Sequence, residues 1–268
     1  MKLYKNNKIF KSINSNPIDN KQVEVNRLVE VIKPVEVIKP IKVNKPIEVN
    51  KPVEVNKPIE EIVNNEWDFL DKVIYINLAH RPDRNKQILD ELKLIPSHKI
   101  IRFDAIKDTQ GHIGCSKSHI GCLKLAIQNN WKNVLIVEDD MIWNNYENNI
   151  KLLPKLLNNN WDVISLGNYN VKYDVNTYKL FNGLCSQAYI VNNNYFKKLK
   201  ENYEYGLLKL IEGSNYDQIE KIKNNNLYCL DRYWEILIKN DNWYIIMPIL
   251  CSQRPGYSDI CKSYRVHK

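Results

Sequence analysis

Two patterns of apolar and polar residues divide the chain near residue 66. From Val29 the sequence reads VEVIKP, VEVIKP, IKVNKP, IEVNKP and VEVNKP, with proline at positions 34, 40, 46, 52 and 58. A degenerate copy, Val23–Leu28, precedes this run. Valine and glutamate alternate within the hexads, which favours extended backbone. A proline in every hexad excludes a continuous helix and a central sheet strand, because each one removes a backbone donor. Residues 1–66 are therefore expected to form an N-terminal extension, extended or disordered, whose repeats span up to ~90 Å at ~3.1 Å per residue. The plain reading is a semi-rigid tether. The sharper one is a strip that engages a protein partner by adding a strand to that partner's sheet edge.

After Glu66 the pattern becomes that of a folded domain, 67–268. Val73–Leu78 is a short apolar run and predicts a buried strand. Pro82 is placed for a first helical turn, and Ile88, Leu89 and Leu92 continue a helix to about Lys93. Lys99–Phe103 predicts a second strand. Gly111-His112-Ile113-Gly114 predicts a turn, after which Ser116 caps a helix to about Gln128 with the stripe Ile120, Leu123, Ala126 and Ile127. Val134–Val137 predicts a third strand, and Asp162–Leu166, Ala188–Val191 and Tyr244–Met247 predict others. Strands alternating with helices define an α/β architecture.

Composition narrows the classes. The chain has 268 residues and is 44% hydrophobic, enough for a core. Its charge is +8, from 39 Lys+Arg and 31 Asp+Glu. Residues 1–66 hold 12 and 9 of these and the remainder 27 and 22, so neither part is strongly basic. Dispersed lysines among acids argue against a nucleic-acid face. No apolar run reaches the ~18 residues of a membrane span. The basic start lacks an apolar signal core, and the end is not an ER-retention signal, so the expected location is cytoplasmic or peripheral to a membrane. Six cysteines form no C-x-x-C pair, and reduced thiols are expected. Cys115 and Cys122 read as core contacts.

The candidate chemistry begins at Glu138-Asp139-Asp140, directly after an apolar strand. Ligands of open α/β sheets sit beyond the carboxyl ends of the strands. Side chains two apart in extended backbone share a side, so Glu138 and Asp140 are expected to face a cleft and Asp139 its supporting shell. Hard oxygen donors suit magnesium or manganese shared with phosphate. Acid runs at loop starts are more often solvated surface, so further features must carry the reading. Arg81 and Arg84 stand at a helix start, where phosphate is met, although ion pairs with Asp83 or Glu91 are the bland alternative. Ser118 and His119 add a hydroxyl and an imidazole.

Together, Val73–Arg84 (VIYINLAHRPDR), Gly111–Ala126 (GHIGCSKSHIGCLKLA), Val134–Asp140 (VLIVEDD), Cys185–Val191 (CSQAYIV) and Pro248–Ile260 resemble glycosyltransferase family 25 over about residues 70–262. That family includes lipooligosaccharide and procollagen galactosyltransferases. The resemblance implies a GT-A type fold with a mixed, mainly parallel sheet. It implies a UDP-sugar donor, and an acceptor hydroxyl on a glycan or a collagen-like protein. It places a divalent ion, manganese before magnesium, on Glu138 and Asp140. It makes Asn77, Leu78, Arg81, Arg84, Ser118, His119, Asp139, Gln187 and Tyr189 donor-binding candidates. Cys185 or Ser186 stands where the family commonly has glycine. Family members typically invert at the anomeric carbon, which calls for a base. Asp217 is the first candidate, with Asp231 and Asp259 behind it. Tyr189, Trp234 and Trp243 are sugar-stacking candidates, with core packing as the plainer role.

Two other classes compete with a hexosyltransferase. One is an adaptor, with the hexad strip as its working part and a degenerate enzyme domain. The other is a nucleotidyltransferase, which shares the acid, metal and phosphate logic but leaves the GC-x-x-SH and SQAYIV segments without a role.

Overall fold

A computed structural model describes residues 65–213, 227–260 and 262–266. The chain divides into units Met1–Glu60 and Glu61–Lys268, and every described residue lies in the second. The hexad strip and Asp217 lie outside the described residues.

The domain is built on one six-stranded sheet. Its strands are β1 (Lys72–Asn77), β2 (Ile100–Asp104), β3 (Asn133–Glu138), β5 (Val163–Ser165), β8 (Ala188–Asn192) and β9 (Trp243–Ile245), in the order β2-β1-β3-β8-β5-β9. β1 runs parallel to β2 and β3, β8 is antiparallel to β3 and β5, and β5 is parallel to β9, so the α/β sheet is mixed. Short pairs lie outside it: β4 (Met141–Trp143) with β10 (Cys251–Gln253), β6 (Tyr169–Tyr173) with β7 (Leu180–Leu184), and β11 (Gly256–Ser258) with β12 (Ser263–Arg265).

Period-two alternation explains why the central strands read as unbroken apolar runs. On β3, Val134 and Ile136 enter one core while Leu135 and Val137 enter the other. On β1, Ile74 and Ile76 go to the first core and Val73 and Tyr75 to the second. A strand covered on both faces needs apolar residues at every position. The first core is roofed by α2 (Gly111–Gln128) and α5 (Asn193–Gly213); α5 presents Leu199, Tyr203, Leu207 and Leu210 at helical spacing. The second core takes Ile88 from α1 (Pro82–Glu91). It also takes Ile150, just after α3 (Tyr146–Asn149), and Leu153 and Leu156 of α4 (Leu153–Leu157). Helices α6 (Leu230–Tyr233) and α7 (Glu235–Asn240) close the first core with Leu230, Leu237 and Ile238. Trp234, Trp243 and Tyr189 are fully buried there, and their rings pack edge to face.

One expected element is corrected. Gly111–Gly114 is not a turn but the first turn of α2, and Ser116 is buried inside that helix instead of capping it. The glycines serve packing: a Cβ on Gly114 would come 2.5 Å from the Ile106 carbonyl oxygen, and one on Gly121 would collide with the Phe103 ring. No described helix is long and apolar enough to cross a membrane, and no disulfide forms among the described residues.

Gly167 marks the closest backbone approach. The amides of Leu250 and Cys251 both donate to the Leu166 carbonyl, and a Cβ on Gly167 would overlap the Cys251 carbonyl. Gly167→Ala is expected to destabilise the domain by about 1–3 kcal/mol, because backbone and not a movable side chain is in the way. Urea unfolding of both proteins measures this.

Candidate active site

A cleft of about 800 Å³ opens at the carboxyl ends of β1 and β3. It is lined by the end of β3, by the start of α2 and by the segment that carries β11 and β12. This volume lies within the usual range for small-molecule sites, about 300–1,000 Å³.

The acids converge because β3 stops at Glu138 and the chain turns through Asp139 and Asp140 into β4. All three side chains line the cleft. The strict alternation expected of a strand therefore ends at Glu138, and Asp139 is brought to the cleft as well. Glu138 accepts a 2.7 Å hydrogen bond from the Ser186 hydroxyl, and its Oε1 lies 3.4 Å from His119 Nε2. Burial pushes its carboxyl up, but His119, Ser186 and Arg84 outweigh this and hold it below the ordinary value. Asp139 accepts from Asn77 Nδ2 and Arg84 Nη1, each at 2.8 Å. Burial nevertheless holds its carboxyl above the ordinary value. Burial, then the charge of Glu138, pushes Asp140 up to about 7. Asp140 Oδ1 is buried without a hydrogen-bond partner.

Arg84 is the positive group among these acids. Its guanidinium spans Asp139 at 2.8 Å and Asp140 at 3.4 Å, and donates to the Tyr257 carbonyl at 2.8 Å. Arg81 turns away from the cleft, pairing with Asp83 at 2.8 Å and Asp259 at 2.7 Å. The alternative pairing with Asp83 thus holds for Arg81, while Glu91 pairs with Arg254 at 2.6 Å.

The remaining expected residues separate into lining and support. Leu78, Ser118 and His119 line the cleft. Ser118 also secures the loop before α2, accepting from the Ile106 amide at 2.9 Å and donating to the Gly114 carbonyl at 2.7 Å. Asn77 is buried beneath the cleft and orients Asp139. Gln187 points to the Cys251 carbonyl at 3.2 Å. Tyr189 is a core residue whose hydroxyl meets His119 Nδ1 at 2.8 Å. Trp234 and Trp243 are likewise core. Asp259 lines the cleft, paired with Arg81.

Asp231 stands out among the lining carboxylates. It lies on α6, accepts the Cys185 amide at 2.9 Å, and burial holds its carboxyl above the ordinary value. Cys115 was read as a core contact, yet it lines the cleft beside His119 and Glu138. The signal for it was the four-residue spacing from His119, which has meaning only once Gly111–Gly114 is read as helix.

Residues 107–215 match the family model of glycosyltransferase family 25 (LPS biosynthesis protein). That segment carries α2, the acids after β3 and the loop before β8; it is similar to the family the motifs resemble and supports a glycosyltransferase. Comparison with curated proteins gives no match. Among solved structures, a glycosyltransferase involved in the glycosylation of the major capsid of PBCV-1 shares 11% identity, over 66% of this chain and 81% of that one, with a TM-score of 0.41. A197 from STIV shares 8%, over 74% and 94%, with a TM-score of 0.35. The glycosyltransferase GlyE of Streptococcus pneumoniae TIGR4 shares 10%, over 66% and 45%, with a TM-score of 0.34. Likeness at this level carries no inference about the present chain.

Arg84→Gln is expected to cost about 3–5 kcal/mol of stability, because it leaves buried carboxylates without their cation. Urea unfolding in the presence of a chelator measures this.

Proposed function

We propose that this glycosyltransferase moves a hexose, galactose or glucose, from a UDP-sugar to an acceptor hydroxyl on a glycan or a collagen-like protein. The reaction inverts the anomeric carbon and uses a divalent cation, on a GT-A type fold. The observation that carries this reading is the meeting of Glu138, Asp139 and Asp140, inside a segment matching the family, with Arg84 of α1 at the end of β3.

The residues present fit a hard cation. Asp139 and Asp140 share one guanidinium, Glu138 stands beside them, and Asp140 Oδ1 is buried without a hydrogen-bond partner. Glu138 and Asp140 would hold the ion, manganese before magnesium, and when bound it supplies Lewis-acid stabilisation to the departing diphosphate. The chain's own groups do the rest. The first turn of α2 faces the cleft with no acid in it and no side-chain cap, so its amides and dipole favour phosphate oxygens. Arg84 adds positive charge where negative charge grows on the leaving group. Leu78 supplies an apolar wall. The bond from the anomeric carbon to the phosphate oxygen breaks, its electron pair leaves with UDP, and the acceptor oxygen bonds from the opposite face. The acceptor proton passes to a carboxylate. Asp231 lines the cleft and is our candidate for that role, with a carboxyl whose raised proton affinity suits a base. Asp217 is the other candidate.

Donor chemistry is tested by adding UDP-galactose or UDP-glucose, with and without manganese, and following UDP binding and release. Metal-dependent binding and slow release of UDP are expected, and Asp140→Asn should weaken the metal-dependent binding about tenfold or more. No UDP binding under any condition sinks the reading in favour of a non-catalytic adaptor.

The base is tested separately. Asp231→Asn is expected to lower kcat about 10²–10⁴-fold while donor binding is retained. An unchanged kcat passes the role to Asp217, whose own Asn variant is the matching measurement.

A further inference from the structure

Sugar transfer leaves Cys115 and His119, beside the acids, without a chemical role. Cys115 and His119 stand four residues apart on α2 and so project to one face. That face meets Glu138 at the end of β3. The cysteine sulfur, an imidazole nitrogen and a carboxylate oxygen all lie within 4.8 Å of one another, as a candidate metal-binding group among the described residues.

The histidine is set as a metal ligand is set. Its Nδ1 is engaged by the Tyr189 hydroxyl at 2.8 Å, and its ring stacks on the Tyr189 ring. Nε2 is left buried with no hydrogen-bond partner, 3.4 Å from Glu138 Oε1, in a side chain 1% exposed. Metal-ligating histidines have the same division, one nitrogen held by a neighbour and the other turned toward the ion. Ser186 orients the carboxylate in a similar way.

We propose that Cys115, His119 and Glu138 bind a borderline-soft divalent cation, zinc foremost, with its fourth position open to the cleft. Sulfur, nitrogen and oxygen donors from three side chains, plus one open position, are a zinc pattern. Thiolate and imidazole select against magnesium and manganese, which the all-oxygen pair Glu138 and Asp140 suits. Donor atoms around tetrahedral zinc lie about 3.3–3.8 Å apart, so a pair at the 4.8 Å limit closes by no more than about 1.5 Å. On binding, the Cys115 thiol gives its proton to solvent, as does His119 Nε2 when it is protonated against Glu138, and the sulfur and nitrogen electron pairs form the metal bonds. Glu138 is common to both sites. Zinc therefore withdraws a ligand from the hard cation and antagonises turnover, a consequence that rests on the sugar-transfer reading, whereas zinc binding itself does not.

The test is titration of the reduced full chain with Co²⁺, followed by Zn²⁺. A thiolate-to-cobalt absorption band that saturates at a single equivalent is expected. Zinc should abolish it, and excess manganese should not. Cys115→Ser removes the band, His119→Gln weakens cobalt binding about tenfold or more, and Cys185→Ser, a cleft thiol outside the cluster, retains it. Asp140→Asn also retains it while losing metal-dependent UDP binding, which keeps the two readings separable. Zinc should further protect Cys115 of the unaltered chain from alkylation, mapped by mass spectrometry, so the result does not hinge on a variant folding. Absence of the band in the unaltered chain, a band that survives Cys115→Ser, or alkylation of Cys115 unaffected by zinc overturns the proposal.

Discussion

Three carboxylates meet at the end of β3, two of them on the Arg84 guanidinium, and the surrounding loops are arranged to tolerate that imbalance. Burying an unpaired charge costs far more than burying a paired one. Each acid is therefore handled differently. Glu138 is stabilised by Ser186 and His119, Asp139 by Asn77 and Arg84, and Asp140 retains an unpartnered oxygen with its proton affinity raised. Arg84 also holds the Tyr257 carbonyl, so one side chain joins α1, the acids and the segment that carries β11 and β12. The geometry of the opening thus depends on the same charge that a bound cation would share.

What could be read from the sequence follows from how local each cause is. The central sheet strands were legible because a strand buried on both faces must be apolar throughout, and β3 shows this residue by residue. The pairs β4 with β10 and β11 with β12 were not legible. They are three residues long, and β4 finds its partner more than a hundred residues away. The start of α2 was misread because glycine usually signals a turn, whereas here it admits the Ile106 carbonyl and the Phe103 ring against the helix. That single misreading hid the shared face of Cys115 and His119.

The candidate site was legible in its residue types more than in its pairings. An apolar run ending in three acids announces a charged floor at a sheet end, and the position of Arg84 in the first turn of a helix announces a nearby cation. Which acid Arg84 would meet was not legible, because the turn after Glu138 breaks the alternation that had assigned Asp139 to the shell. Gln187 and Tyr189 sit on or next to β8, in the middle of the sheet, where burial and not ligand contact governs the side chain. Motif membership alone does not separate a residue that touches the cleft from one that holds another residue there. Tyr189 is of the second kind, acting through the His119 ring.

The loop before β8 shows how such support reaches both halves of the proposed chemistry. Cys185 has a φ of 87°, in the left-handed region that favours glycine. Such a conformation costs a non-glycine residue on the order of 1–3 kcal/mol and persists where neighbours over-determine it. Here they do: the Cys185 amide donates to Asp231, and the next residue, Ser186, donates its hydroxyl to Glu138. The left-handed turn lets two consecutive residues reach carboxylates on different elements, one on α6 and one at the end of β3. Extended backbone at Cys185 would redirect the Ser186 side chain and break one of these bonds. The strain is therefore coupled to the relative placement of the candidate base and the acid shared by the two candidate metal sites, so a change in this loop acts on both together.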